Sequence, residues 1–230
     1  MILFCLPYAG GSEAIYYKWK NYLNSDIQLE PIKLKGRGQR YNENFYENLE
    51  EAVDDIFEYI KYKIVDNEYA ILGYSMGSLL AYELYYKIVR ENLRIPEHMF
   101  FMAHKAPNIN KKNNNIHLLP NDKFIKKIIE LGGTPNEVFE NKELLELVLP
   151  ILRNDFKIIE NYVFKDKKEK IECNISVFNG KEDDIDLTEL LAWKELGNKE
   201  CKIYNFDGGH FFINNNIKKI INILNETLIN

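Results

Sequence analysis

The sequence predicts an α/β fold, a mostly parallel central sheet with helices on both faces. Three observations carry that reading. Short apolar runs alternate with longer amphipathic segments over most of the chain, as a parallel sheet with covered faces requires. The pentapeptide Gly73-Tyr74-Ser75-Met76-Gly77 lies between an apolar run and a helical segment, the setting in which Gly-x-Ser-x-Gly makes a sharp strand-to-helix turn. Residues 108 to about 168 then interrupt the alternation with helical segments alone.

In chain order, strands are expected at 2–6, 27–34, 69–74, 98–103, 173–178 and 201–206. Helices are expected at about 13–23, 47–65, 76–90, 187–196 and 215–228. The helix after the pentapeptide places Leu79, Leu80, Leu84, Ile88 and Val89 broadly on one face, and Asn174–Phe178 reads as a buried strand. In the interruption, residues 108–115 form an asparagine-rich polar loop. Amphipathic segments follow at about 121–131, 136–140, 142–149 and 151–163, and the charged run 165–170 leads back to the sheet. The whole chain, 1–230, reads as one domain, with a helical lid subdomain at about 108–168 that walls and gates a pocket. Phe124, Ile128, Leu131, Leu145, Leu149 and Phe156 are expected to pack within that lid.

Ser75 is the candidate nucleophile. A serine hydroxyl attacks poorly until a base takes its proton. The sharp turn exposes it beside a helix N-terminus, which favours developing negative charge. The chain has four histidines, His98, His104, His117 and His210. In hydrolases with this turn the partners follow in the order serine, acid, histidine. Only His210 follows Ser75 with room for further strands and an acid, and it sits in a strand-end loop, Asp207-Gly208-Gly209-His210. His98 and His117 read as structural or solvated, and His104, at a strand end, as a candidate for the pocket border. For the acid, Asn179-Gly180-Lys181-Glu182-Asp183-Asp184 follows a buried strand. A position three residues after the glycine selects Asp183, with Asp184 the nearest rival and Asp186 a weaker one. Such a carboxylate fixes the imidazole tautomer and stabilises the imidazolium. The backbone N–H groups of Met76 and Ala9, the latter from the loop Pro7-Tyr8-Ala9-Gly10-Gly11-Ser12, are the expected oxyanion donors.

Further segments accompany these: Gly36-Arg37-Gly38-Gln39-Arg40, Lys105-Ala106-Pro107, Leu131-Gly132-Gly133-Thr134-Pro135, Leu152-Arg153-Asn154-Asp155-Phe156, Ala192-Trp193 and Gly209-His210-Phe211-Phe212. Together and in this order, over almost the whole chain, they resemble the type II thioesterases of nonribosomal peptide and polyketide pathways. The resemblance implies an α/β-hydrolase fold with a small helical lid. It also implies hydrolysis of acyl thioesters from the phosphopantetheine arm of acyl or peptidyl carrier proteins, clearing stalled or wrong acyl groups with no cofactor of the enzyme's own. Tyr74 stands where the family often has histidine, and Lys35 where it usually has proline, departures that bear on substrate preference. The competing readings are a small-ester hydrolase or acyltransferase with the same triad, and a non-catalytic module that binds acylated carriers.

Composition narrows the field. Aromatic residues make up 13% of the chain, which argues against disorder. A net charge of −5 argues against nucleic acid as a partner. An acidic carrier would need a local basic patch, for which Arg37, Arg40, Lys105, Lys111 and Lys112 are candidates. The three cysteines, Cys5, Cys173 and Cys201, lack close pairing and metal-ligand spacing, and read as reduced structural thiols. No apolar run approaches the ~20 residues that span a bilayer, and no secretory signal is apparent, so a cytoplasmic monomer without membrane contact is expected.

Overall fold

The computed structural model describes residues 1–109 and 115–229. Its frame is a six-stranded sheet of β1 (Ile2–Leu6), β2 (Gln28–Pro31), β3 (Tyr69–Tyr74), β4 (His98–Met102), β5 (Asn174–Gly180) and β6 (Cys201–Phe206). The strand order is β2-β1-β3-β4-β5-β6 and every pairing is parallel. Parallel neighbours need crossovers, supplied by a 3-10 helix between β1 and β2 and then by α1 (Leu49–Ile60), α2 (Met76–Arg90), α3 (Asn121–Leu131), α4 (Asn136–Glu140), α5 (Lys142–Asn161) and α6 (Leu187–Leu191), while α7 (Ile217–Ile229) follows the last strand.

Side-chain alternation along the strands divides the core. Phe4, Leu6, Tyr69 and Ile71 face one side, where α1 and α2 bury Val53, Ile56, Phe57, Leu80 and Leu84 with Trp193. Leu3, Cys5, Ala70 and Leu72 face the other, covered by Tyr16, Trp19 and the Ile220, Ile221 and Leu224 stripe of α7. Local chemistry fixes the helix starts. The Asn48 side chain accepts the Glu51 N–H at the head of α1, and Asp186 and Glu189 form a reciprocal capping box on α6.

The structure amends several boundaries. The strand expected at 27–34 pairs only over Gln28–Pro31, because its one neighbour, β1, ends at Leu6. The segment expected at 13–23 is a 3-10 helix, Glu13–Asn21, with Ser12 at its N-cap. The helix expected at 187–196 turns from α to 3-10 at Ala192. The segments expected at 142–149 and 151–163 are one helix, α5, which runs through Pro150. A proline there forfeits one ladder hydrogen bond, but Ile151, Leu152, Asp155 and Ile158 are buried and hold the second half in place. Between β4 and β5 the described residues form helices and a single parallel bridge, Ile171 to Gly197, but no strand; the helices surround a small core of Ile116, Phe124, Ile128 and Leu152 joined by Leu149 and Phe156. Leu131 remains 42% exposed. Most of the polar loop expected at 108–115 lies outside the described residues.

Candidate active site

Ser75, Asp183, His210 and the loop at Ala9 all lie just beyond the C-terminal ends of parallel strands, where an open α/β sheet gathers its loops. Ser75 joins β3 to α2 with φ 53° and ψ −112°, a conformation that L-residues rarely adopt. Two glycines let the chain turn this tightly. A Cβ on Gly73 would collide with the Gly77 carbonyl, and one on Gly77 with the Leu6 carbonyl of β1. The turn is pinned by Ser75 N–H to Met102 O at 2.8 Å and by the Ser78 hydroxyl, which donates to the Gly73 carbonyl at 2.8 Å.

Three side chains meet there. His210 Nε2 lies 3.0 Å from Ser75 Oγ, and His210 Nδ1 lies 2.9 Å from Asp183 Oδ2. The Asp183 side chain is only 6% exposed and that of His210 32% exposed, so the carboxylate is shielded while the imidazole still reaches the cavity. The two loops are joined by backbone bonds, Glu182 N–H to Gly208 O at 3.1 Å and Lys181 N–H to Phe206 O at 2.8 Å. Of the rival acids, Asp184 lies exposed at the cavity rim and Asp186 caps α6. Met76 is the first residue of α2, so its N–H is among the amides without an intrahelical acceptor. Ala9 lines the same cavity as Ser75.

That cavity has a volume of about 520 Å³, within the range of small-molecule sites. Its walls are mainly apolar, with Tyr8, Phe211, Ile185 and, from the helical insertion, Ile128, Leu152 and Phe156. Of the residues expected to pack within the insertion, Ile128, Leu131 and Phe156 thus also face the site. The rim carries Glu130, Glu182 and Asp184.

The basic candidates for a docking patch are otherwise engaged. Arg37 is buried against Asp155, Arg40 bonds Glu43 and Asp55, and Lys105 bonds Glu189. Lys111 and Lys112 lie outside the described residues. His104 does not border the cavity; its carbonyl accepts the Trp193 indole N–H at 2.9 Å. His117 is not solvated but pairs with Glu160 at 2.5 Å. His98 is buried against Ser176 and stacked on Phe100.

Sequence reasoning did not assign Tyr74 a role. Its hydroxyl donates to the His210 backbone carbonyl, and its ring packs among Tyr8, Phe211 and Phe212. Burial, reinforced by the neighbouring Tyr8 and Asp183 charges, raises the Tyr74 pKa and keeps the hydroxyl a neutral donor. The one available signal was its departure from the family's histidine.

The model of the thioesterase domain family matches residues 1–228. The chain belongs to the thioesterase family. This thioesterase is 35% identical over 212 residues to the gramicidin S biosynthesis protein GrsT of Aneurinibacillus migulanus, covering 92% of this chain and 82% of that one. It is 29% identical over 215 residues to the medium-chain S-acyl fatty acid synthase thioesterase of Anas platyrhynchos, covering 92% and 84%. Among solved structures it superposes on ClbQ from the colibactin NRPS/PKS pathway with a TM-score of 0.94 and 34% identity, over 99% of this chain and 96% of that one. The thioesterase therefore has the α/β-hydrolase fold. Among its described residues no cluster of His, Cys, Asp or Glu is placed to hold a metal ion, and no helix is long and apolar enough to cross a membrane.

Proposed function

We propose that this protein is a type II, editing thioesterase of nonribosomal peptide or polyketide synthesis, which hydrolyses acyl thioesters carried on the phosphopantetheine arm of carrier proteins. The observation that carries the chemistry is the continuous contact from Ser75 through His210 to Asp183 beside a largely apolar cavity. In this reading His210 Nε2 takes the Ser75 proton as Oγ adds to the thioester carbonyl carbon. The N–H groups of Ala9 and Met76 and the start of α2 stabilise the oxyanion. The C–S bond then breaks. A thiol of pKa about 8.5 leaves readily as thiolate and takes up the proton held by His210. A water deprotonated by His210 attacks the acyl-enzyme, and its collapse frees the carboxylic acid and restores Ser75. Asp183 holds the imidazole tautomer throughout and takes no proton.

The helical insertion, α3 to α5, supplies one wall of the acyl cavity and serves as the lid, with the carrier remaining outside. Support for the pathway comes from the likeness to GrsT and ClbQ. Replacing Ser75 with Ala should lower kcat roughly 10³–10⁶-fold on an acyl-pantetheine thioester. Near-normal turnover by that variant would refute the mechanism. Parallel assays on carrier-bound acyl groups and simple oxygen esters test the substrate; a preference for the oxygen ester would point to an esterase instead.

A further inference from the structure

We propose that the buried Arg37–Asp155 pair is a positioning device for the Ala9 N–H, making α5 part of the frame of the oxyanion site as well as its cover; this rests on the Ser75 reading above. The Asp155 carboxylate, on α5, accepts both terminal nitrogens of Arg37, at 2.5 and 2.6 Å. The same carboxylate accepts the Gly10 N–H at 2.7 Å. Arg37 Nη1 also donates to the Gly11 carbonyl at 3.3 Å. Both side chains are almost fully buried. The pair therefore grips two peptide groups just beyond Ala9, one by its N–H and one by its C=O.

A third bond completes the constraint. The Tyr8 carbonyl accepts the Gly11 N–H at 2.9 Å. Tyr8 C=O and Ala9 N–H belong to one trans peptide unit, so turning the carbonyl into this bond sends the Ala9 N–H to the opposite side. Leu152, one helical turn before Asp155, packs so closely on Gly10 that a Cβ there would overlap its side chain. Residues 8–11 are thus held by the turn itself, by α5 and by the Arg37 loop.

A bare stabilising role fits the chemistry less well. A buried ion pair adds little net stability over an apolar pair of similar size, because both charges lose their hydration. What it supplies is direction. Burial is the largest influence on the Arg37 pKa and would lower it, but the Asp155 charge and hydrogen bonds, with smaller contributions from Tyr46 and Glu13, together raise it, so the guanidinium stays charged.

The test removes the grip together with both of its charges: Arg37→Met combined with Asp155→Leu. Three readouts are compared with the wild type. These are kcat and KM on an acyl-pantetheine thioester, inhibition by an alkyl trifluoromethyl ketone, which forms an oxyanion on Ser75, and binding of an alkyl-pantetheine thioether, which cannot. The double variant should melt cooperatively and lose about 10–100-fold in kcat, as expected for a displaced oxyanion donor. The ketone should weaken by the same factor, with KM and thioether binding nearly unchanged. Asp155→Asn, which keeps an acceptor for Gly10 N–H, should lose less, and its ketone-to-thioether ratio decides the matter should the double variant not fold. Unchanged kcat in a folded double variant, or equal weakening of ketone and thioether, overturns the proposal. Were the nucleophile reading itself wrong, Ser75→Ala would stay active and the wild type would not form the ketone adduct, so the two failures are distinct.

Discussion

Three aspartates within four positions meet three different fates: Asp183 touches His210, Asp184 lies on the cavity rim, and Asp186 caps α6. Only the first can hold the imidazole. Asp183→Asn should therefore cut kcat by about 10²–10⁴-fold, and Asp184→Asn by no more than a few-fold. Steady-state assays of the two variants check the order, and its reversal would move the acid to Asp184. Tyr74 acts at the same scale but on the backbone, through its hydroxyl on the His210 carbonyl. Tyr74→Phe keeps the ring packing and removes one hydrogen bond, worth about 1 kcal/mol of stability. A looser His210 loop should lower kcat about 3–10-fold with little change in KM, since misplacing a reacting group costs rate more than binding. Equal kcat in the two proteins would mean that other contacts hold that loop.

At the scale of elements, the junction of β3 and α2 tolerates least. The first turn of α2 passes directly over the end of β1, and Gly77 is the point of contact with Leu6. Gly77→Ala should destabilise the fold by roughly 3 kcal/mol or more, because the obstruction is backbone and cannot rotate away. Thermal or urea unfolding measures this; a variant as stable as the wild type would show that α2 can shift off the sheet. The long helix α5 divides at Pro150. Residues before it are exposed or half-exposed, whereas Ile151, Leu152, Asp155 and Ile158 beyond it are buried. The part of the insertion fixed to the sheet loops is thus the second half of α5.

For the whole molecule, buried titratable groups set the response to pH. His98, between Ser176 and Phe100 at the start of β4, has its pKa lowered from 6.5 to about 4, chiefly by burial and further by the Lys202 charge. The folded state keeps it neutral, while the unfolded chain protonates it near pH 6.5. Stability from this site is complete above that value and is lost as pH falls towards 4, by up to about 3 kcal/mol. Urea unfolding of wild type and His98→Gln between pH 4 and 7 checks the sign; the variant's stability should change less over that interval, and an identical profile would remove His98 as the cause. Burial also raises the pKa of Cys173 to about 12 and that of Cys201 to about 11, in keeping with structural thiols.

Periodicity along the chain was enough to indicate all six strands and the helices that connect them, because alternation and amphipathic spacing are local consequences of which face is buried. The placement of Ser75, Asp183 and His210 was legible for a related reason. Each occupies a strand-end loop with glycines beside it, and a parallel sheet brings such loops to one edge. Boundaries were less legible where a neighbour decided them. The short β2 depends on the length of β1, and the continuity of α5 past Pro150 depends on what its second half packs against. The Arg37–Asp155 clamp and the Tyr74–His210 bond lay beyond reach for the same reason. They join residues 118 and 136 positions apart, and neither the motif around Arg37 nor that around Asp155 carries a local sign of its partner. Local sequence dictates which surfaces must be buried and where the chain can turn; which buried charge meets which peptide group is settled only when distant segments share one core.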